Sequence, residues 1–197
     1  MTEDVRRFIG PPIRSMLSAI TRGTGIEALH ELEVAFRRSY DSDGWSKTML
    51  QPAAKETLAW LAGSRRRAFV FTNKPRNATT RILENFQISG AFFRILCRDA
   101  ETHANCSKAE MLRSLMQVDG VAVDNSIVVG DTEEDLEAAR EVGMTAAILT
   151  NGYGDLPRLP ARPRCFMLQG LDELPSLFAI IEGADPKLRV DMFRSVS

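Results

Sequence analysis

Three short stretches hold residue types that could do chemistry together. Thr72-Asn73-Lys74-Pro75 follows an apolar run. A hydroxyl followed by backbone N–H groups at a helix start can hold a phosphoryl oxygen; the same threonine could instead cap the next helix. Gly130-Asp131-Thr132-Glu133-Glu134-Asp135 follows a second apolar run. Carboxylates at such a place can bind a hard cation such as Mg2+, which accepts one or two of them together with water and phosphate. Thr132 and Asp135 also have the spacing of a capping box, which accounts for Asp135 better than for Asp131. Lys108 opens a helical pattern between these two stretches. The helix dipole opposes a cation there, so Lys108 is expected to face an anionic ligand or a metal-bound carboxylate, the alternative being a solvated side chain. The chain has only two histidines, His30 and His103, so acid–base work would rest on carboxylates.

The elements that must position these residues fall into two parts. Residues 1–50 show only helical patterns: a short helix broken by Gly10-Pro11-Pro12, a second from Ile13 to Ile20, a turn at Gly23-Thr24-Gly25, and a longer helix. That last helix sets Ile26, Leu29, Leu32, Phe36 and Tyr40 near one face, at steps of three and four. Residues 51–197 alternate. Helices are expected over Ala53–Ala62, Arg76–Phe86, Lys108–Met116 and Glu133–Val142, and from Asp172 onward. Strands are expected over Ala68–Thr72, Phe92–Leu96, Ser126–Gly130, Thr145–Leu149 and Cys165–Leu168. Strands separated by helix-length connections form βαβ units and hence a parallel sheet. The fold class is therefore α/β, a Rossmann-like parallel sheet flanked by helices, with a small helical bundle at the N-terminus. Ligands of open α/β sheets bind beyond the carboxyl ends of the strands, where Thr72 and Asp131 both lie.

Composition narrows the function classes. Basic and acidic residues number 25 and 26, so no broad field recruits nucleic acid or an anionic membrane. No apolar run reaches the ~20 residues of a membrane span. Cys97, Cys106 and Cys165 show no CxxC pattern, which fits a reducing, cytoplasmic setting better than a disulfide framework or a zinc site. Cys106 and His103 read as spectators, and Arg65-Arg66-Arg67 as a solvated turn. Gly23-Thr24-Gly25 follows no strand and is no dinucleotide loop.

Phe71-Thr72-Asn73-Lys74, then Lys108, then Val128-Val129-Gly130-Asp131-Thr132-Glu133-Glu134-Asp135 resemble, in order and at similar spacing, the second, third and fourth motifs of the haloacid dehalogenase superfamily. Phe8-Ile9-Gly10-Pro11-Pro12 resembles a stretch in the helical cap of its phosphoglycolate-phosphatase-like members, and Asn151-Gly152-Tyr153-Gly154 the loop after their fourth motif. The resemblance implies a cap over residues 1–50 and a catalytic core over 51–197. It implies that Thr72 and the amide of Asn73 bind the phosphoryl group, that Lys108 neutralises nucleophile and phosphate, and that Asp131 ligates Mg2+ with Asp135 close behind. These roles suit phosphoryl transfer, which is mostly positioning and charge neutralisation.

The family's first motif is an apolar strand ending in Asp-x-Asp-Gly, whose first aspartate attacks phosphorus. The cap resemblance begins within ten residues of Met1, so the motif and its central strand are expected to be missing from this chain. Asp41-Ser42-Asp43-Gly44 spells the motif, but it follows Glu33–Tyr40, which has helical spacing and two adjacent arginines; it reads as a polar helix end and turn. The strands ending at Thr72 and Gly130 would flank the missing one. Buried unpaired backbone groups cost ~1–3 kcal/mol each, so these two strands are expected to pair directly or to accept a strand from another copy of the chain. The expected function is Mg2+-dependent hydrolysis of a small phosphorylated metabolite, without turnover in this chain for want of the nucleophile. The alternative is a non-catalytic phosphate-binding or regulatory protein.

Overall fold

A five-residue strand, β4 (Thr145–Leu149), is buried at every position. Its small residues Ala146 and Ala147 let helices approach both faces, as a strand covered on two sides requires. It pairs in parallel with β3 (Ile127–Gly130), Gly130 opposite Ile148, and with β5 (Cys165–Leu168), Leu149 opposite Leu168. A separate parallel pair joins β1 (Phe69–Thr72) to β2 (Arg94–Cys97), Thr72 opposite Cys97. These come from a computed structural model that describes residues 13–98, 106–152 and 164–183. Phe8–Pro12, His103, Tyr153 and Gly154 lie outside the described residues.

The helices follow in chain order: α1 (Ile13–Thr21), α2 (Ile26–Ser42), α3 (Ala54–Gly63), α4 (Arg76–Asn85), α5 (Lys108–Asp119), α6 (Glu133–Val142) and α7 (Leu174–Ile181). The two helices that matter most for the site begin with complete capping boxes. In α5 the Ser107 hydroxyl accepts from the Glu110 N–H while Glu110 accepts from the Ser107 N–H at 2.6 Å. In α6 Thr132 and Asp135 make the same exchange. Both helices end on a left-handed glycine, Gly120 and Gly143, a conformation that a side chain would strain.

One hydrophobic cluster runs under both sheets. Met111, Leu112 and Leu115 of α5 meet Leu96 of β2, Val128 of β3, Ala146 and Ile148 of β4 and Leu136 of α6, with Phe69 and Phe71 of β1 against its edge. A second cluster sets Leu174 and Leu177 of α7 against Ala147, Leu149 and Leu168. Helix α5 thus supports β1 and β3 from below and keeps their carboxyl ends at one end of the molecule.

Two expectations from sequence are corrected here. β1 and β3 do not pair: each ends its own sheet among the described residues. Of the two alternatives, direct pairing is not formed; in the single chain every residue of β1 is half-buried and β3 has one buried residue, Val128. Water can serve backbone groups on such part-exposed edges. The strand expected at Phe92–Leu96 starts two residues later, at Arg94. Phe93 is 61% exposed and packs edge-on against Phe69, while its N–H donates to the Ala68 carbonyl.

The helices α1 and α2 carry no buried residue. Glu33 pairs with Arg37 at 3.0 Å and with Arg14 at 3.8 Å, and Phe36 stacks on Tyr40. Arg81 of α4 reaches this pair, donating to the Asp41 carbonyl at 2.7 Å and lying over the Trp45 ring. The Asp41–Gly44 stretch is the end of α2 and the start of a single 3-10 turn, Gly44–Lys47, as its helical flank implies. Asp43 pairs with Lys47 at 2.8 Å, and this contact holds its carboxyl below the usual carboxylate range.

Candidate active site

β1 ends in Thr72, where the chain turns sharply: the Lys74 N–H donates to the Thr72 hydroxyl at 3.1 Å. Thr72 therefore shapes the loop between strand and helix, and Pro75, not Thr72, stands before the first residue of α4. The Asn73 side chain points across the break between the sheets and donates to the Glu134 carboxylate at 2.8 Å. Arg98, just beyond β2, joins them; it lies 3.4 Å from the Asn73 oxygen and 3.8 Å from Glu134.

Lys108 has a definite partner. Its ammonium donates to Asp135 Oδ1 at 2.7 Å, and the two side chains are 9% and 7% exposed. The other Asp135 oxygen accepts from the Thr132 hydroxyl at 2.6 Å, the Thr132 N–H at 3.1 Å and the Asp131 N–H at 3.3 Å. One buried carboxylate thus gathers Lys108, Thr132 and the backbone of Asp131. This resolves the alternatives left by the sequence: Lys108 at a helix start is stabilised by a carboxylate rather than by water, and Asp135 does close a capping box. Gly130 allows the arrangement, because a Cβ there would overlap the Asp135 side chain.

Asp131 is half-buried at the end of β3. A Cβ on Gly152, in the loop after β4, would collide with it, so the glycine backbone forms one wall against this carboxylate. Asp135 is committed to Lys108 and Thr132, while the half-buried Asp131 carboxylate lies beside the Gly152 backbone. Among the described residues no group of three His, Cys, Asp or Glu side chains converges. A Mg2+ that takes one protein carboxylate and completes its shell with water and phosphate fits this arrangement.

Arg98 escaped the sequence reading, and Glu134, Gly130 and Gly152 entered it only as members of motif stretches, with no role of their own. Glu134 was hidden in a run of acids. Arg98 follows a strand end, as Thr72 and Asp131 adjoin theirs, and the same rule applied to β2 would have found it. The two glycines stand in the motif stretches, but their need is set by side chains packed against them.

The fold and site together define an α/β protein with a tight turn after Thr72 and a carboxylate cluster at the carboxyl ends of its parallel strands. The sequence profile of the haloacid dehalogenase-like hydrolases matches residues 1–149, and the chain belongs to that family. It is 28% identical over 156 residues to the phosphoglycolate phosphatase of Pseudomonas putida, a match covering 77% of this chain and 57% of that protein. The chain thus spans little more than half the length of this relative. A crystal structure of a predicted phosphatase from Clostridium acetobutylicum superposes with a TM-score of 0.80 at 20% identity, covering 91% of this chain and 83% of that one. The structure of Protein Tyrosine Kinase A (PtkA) from Mycobacterium tuberculosis superposes with a TM-score of 0.71 at 27% identity, covering 88% and 79%.

Proposed function

We propose that this chain is a phosphatase-like module that binds a small phosphorylated metabolite with Mg2+, resembling phosphoglycolate phosphatase. The reading rests on one observation: the buried Lys108–Asp135 pair is bonded to the backbone of Asp131. The names of two relatives, a phosphatase and a tyrosine kinase, both denote phosphoryl transfer. In this reading the Thr72 hydroxyl and the amide of Asn73 hold phosphoryl oxygens, Lys108 supplies positive charge next to them, and Asp131 and Asp135 form the carboxylate side of the site. Mg2+ bound there would neutralise charge on the phosphoryl oxygens. Helices α1 and α2 serve as a cap, residues 1–50, over a core of residues 51–197.

Hydrolysis through a covalent phosphoaspartate needs an aspartate beside Thr72. Among the described residues no strand supplies one between β1 and β3. The 197-residue polypeptide by itself is therefore expected to bind phosphate without appreciable turnover. Phosphate binding followed by phosphorus NMR with and without Mg2+, beside a phosphate-ester hydrolysis assay, tests this. Mg2+-dependent binding that weakens on Asp131→Asn is the expected result. Appreciable turnover that Asp131→Asn abolishes would overturn the expected inactivity, and phosphate binding indifferent to Thr72, Lys108 and Asp131 would end the reading.

A non-catalytic phosphate-binding role is the second reading. The Asn73–Glu134 hydrogen bond favours it, because it spans the break between the sheets and ties the two sides together.

A further inference from the structure

Arg98 stands where an anion would meet it. Its N–H donates to the Thr72 carbonyl at 3.1 Å, which fixes its backbone beside the turn after β1. Its guanidinium extends along that turn to the Asn73 side-chain oxygen. The Asn73 amide and the Arg98 guanidinium then converge on a single carboxylate, Glu134: Asn73 Nδ2 lies 2.8 Å from one oxygen and Arg98 Nη1 3.8 Å from the other. Asn73 and Glu134 are 61 residues apart in the chain, and they come from opposite sides of the break between the sheets. A carboxylate hydrogen-bonded by an amide and within ion-pair range of a guanidinium has the surroundings of a bound anion.

We propose that Arg98 is an anion-binding residue of the candidate site and that Glu134 is its built-in competitor, filling the anion's place until a ligand displaces it. The proposal deepens the phosphate-binding reading and rests on it. The chemistry is a simple exchange. An oxyanion on the Thr72–Lys74 turn takes over the contacts with Asn73 and Arg98, and the Glu134 carboxylate, 30% exposed, swings into water. Binding then costs the breaking of the Glu134 contacts, so the resting protein holds phosphate more weakly than its donors allow. Neither residue need touch the metal.

Titration of the full chain with inorganic phosphate, read by calorimetry and amide NMR shifts, separates the outcomes. Arg98→Ala should weaken phosphate binding by about tenfold, the ordinary effect of losing one charge-assisted contact. Glu134→Gln should tighten it several-fold, because the competing charge is gone. Arg164→Ala removes the same charge beside Gly143 and Asp124, at the start of β5, and should change nothing; circular dichroism melts show that each variant folds. Phosphate affinity unchanged by Arg98→Ala and by Glu134→Gln, yet lost on Lys108→Ala, would overturn this proposal and leave the phosphate-binding reading intact. Binding absent from the wild type and from Glu134→Gln alike would overturn both. Binding absent from the wild type and present in Glu134→Gln would be the strongest form of support.

Discussion

Replacing Lys108 with methionine keeps the length of the side chain and removes its charge. The cost follows from what Asp135 loses and keeps. Oδ2 retains three donors, two from Thr132 and one from Asp131, whereas Oδ1 loses the Lys108 ammonium at 2.7 Å. The carboxylate stays 7% exposed, so water replaces the lysine poorly. Breaking a buried pair by removing one partner costs ~3–5 kcal/mol. The three surviving donors place this case near the lower end, about 3 kcal/mol, out of a total that is ordinarily ~5–15 kcal/mol. For a chain of this size each kcal/mol moves the midpoint by ~2–4 °C, so Lys108→Met should melt about 6–12 °C below wild type. Adding Asp135→Asn removes the stranded charge and should recover part of that loss, although Asp135→Asn alone is destabilising. Thermal and urea unfolding followed by circular dichroism measure the cycle. A Lys108→Met protein melting within about 2 °C of wild type, or a double variant no more stable than Lys108→Met, would refute the idea that this pair is dry and mutually dependent.

Gly152→Ala should destabilise by ~1–3 kcal/mol through overlap with Asp131. Most of that loss should vanish when Asp131 is also glycine, which removes the Cβ that the new methyl would strike, a coupling that a double-mutant unfolding cycle reads directly. Arg67 lies over the rings of Phe69 and Phe93 and donates to the carbonyls of Asp119 and Gly120 at the end of α5; Arg67→Ala should cost about 1 kcal/mol in urea unfolding. Glu110 titrates below its ordinary value of 4.5, chiefly because of the Ser107 N–H. A lowered folded value means that its contribution is fully present above pH 4.5 and is lost as pH falls through the folded value. Stability of Glu110→Gln should therefore vary less with pH in that acid window than wild type, as urea titrations at stepped pH would show.

Local pattern was enough wherever one element settles its own limits. Helix α6 and strands β4 and β5 have the limits expected from sequence, because Thr132 caps one end of α6, Gly143 breaks its other end, and runs such as Thr145–Leu149 are too short and too apolar to be anything but buried strands. The order of strands and helices and the family resemblance followed from the same signals. β2 was misplaced because Phe92 and Phe93 look like core, and hydropathy cannot separate an aromatic that covers a neighbouring ring and an arginine from one that is buried.

The sequence by itself determined that Thr72 and Asp131 lie at the carboxyl ends of strands, that Asp135 closes a capping box, and that Lys108 sits against its helix dipole. Only the tertiary structure decided what those facts amount to. It set Lys108 on Asp135, 27 residues away, and Asn73 on Glu134, 61 residues away; it brought Arg98 to the same carboxylate, and Gly152 against Asp131. It also decided that β1 and β3 stay apart. The reason is physical. Capping and periodicity are written in contacts between residues three or four apart, while these partners depend on how α5 and α6 pack under two sheets and on whether water reaches a strand edge.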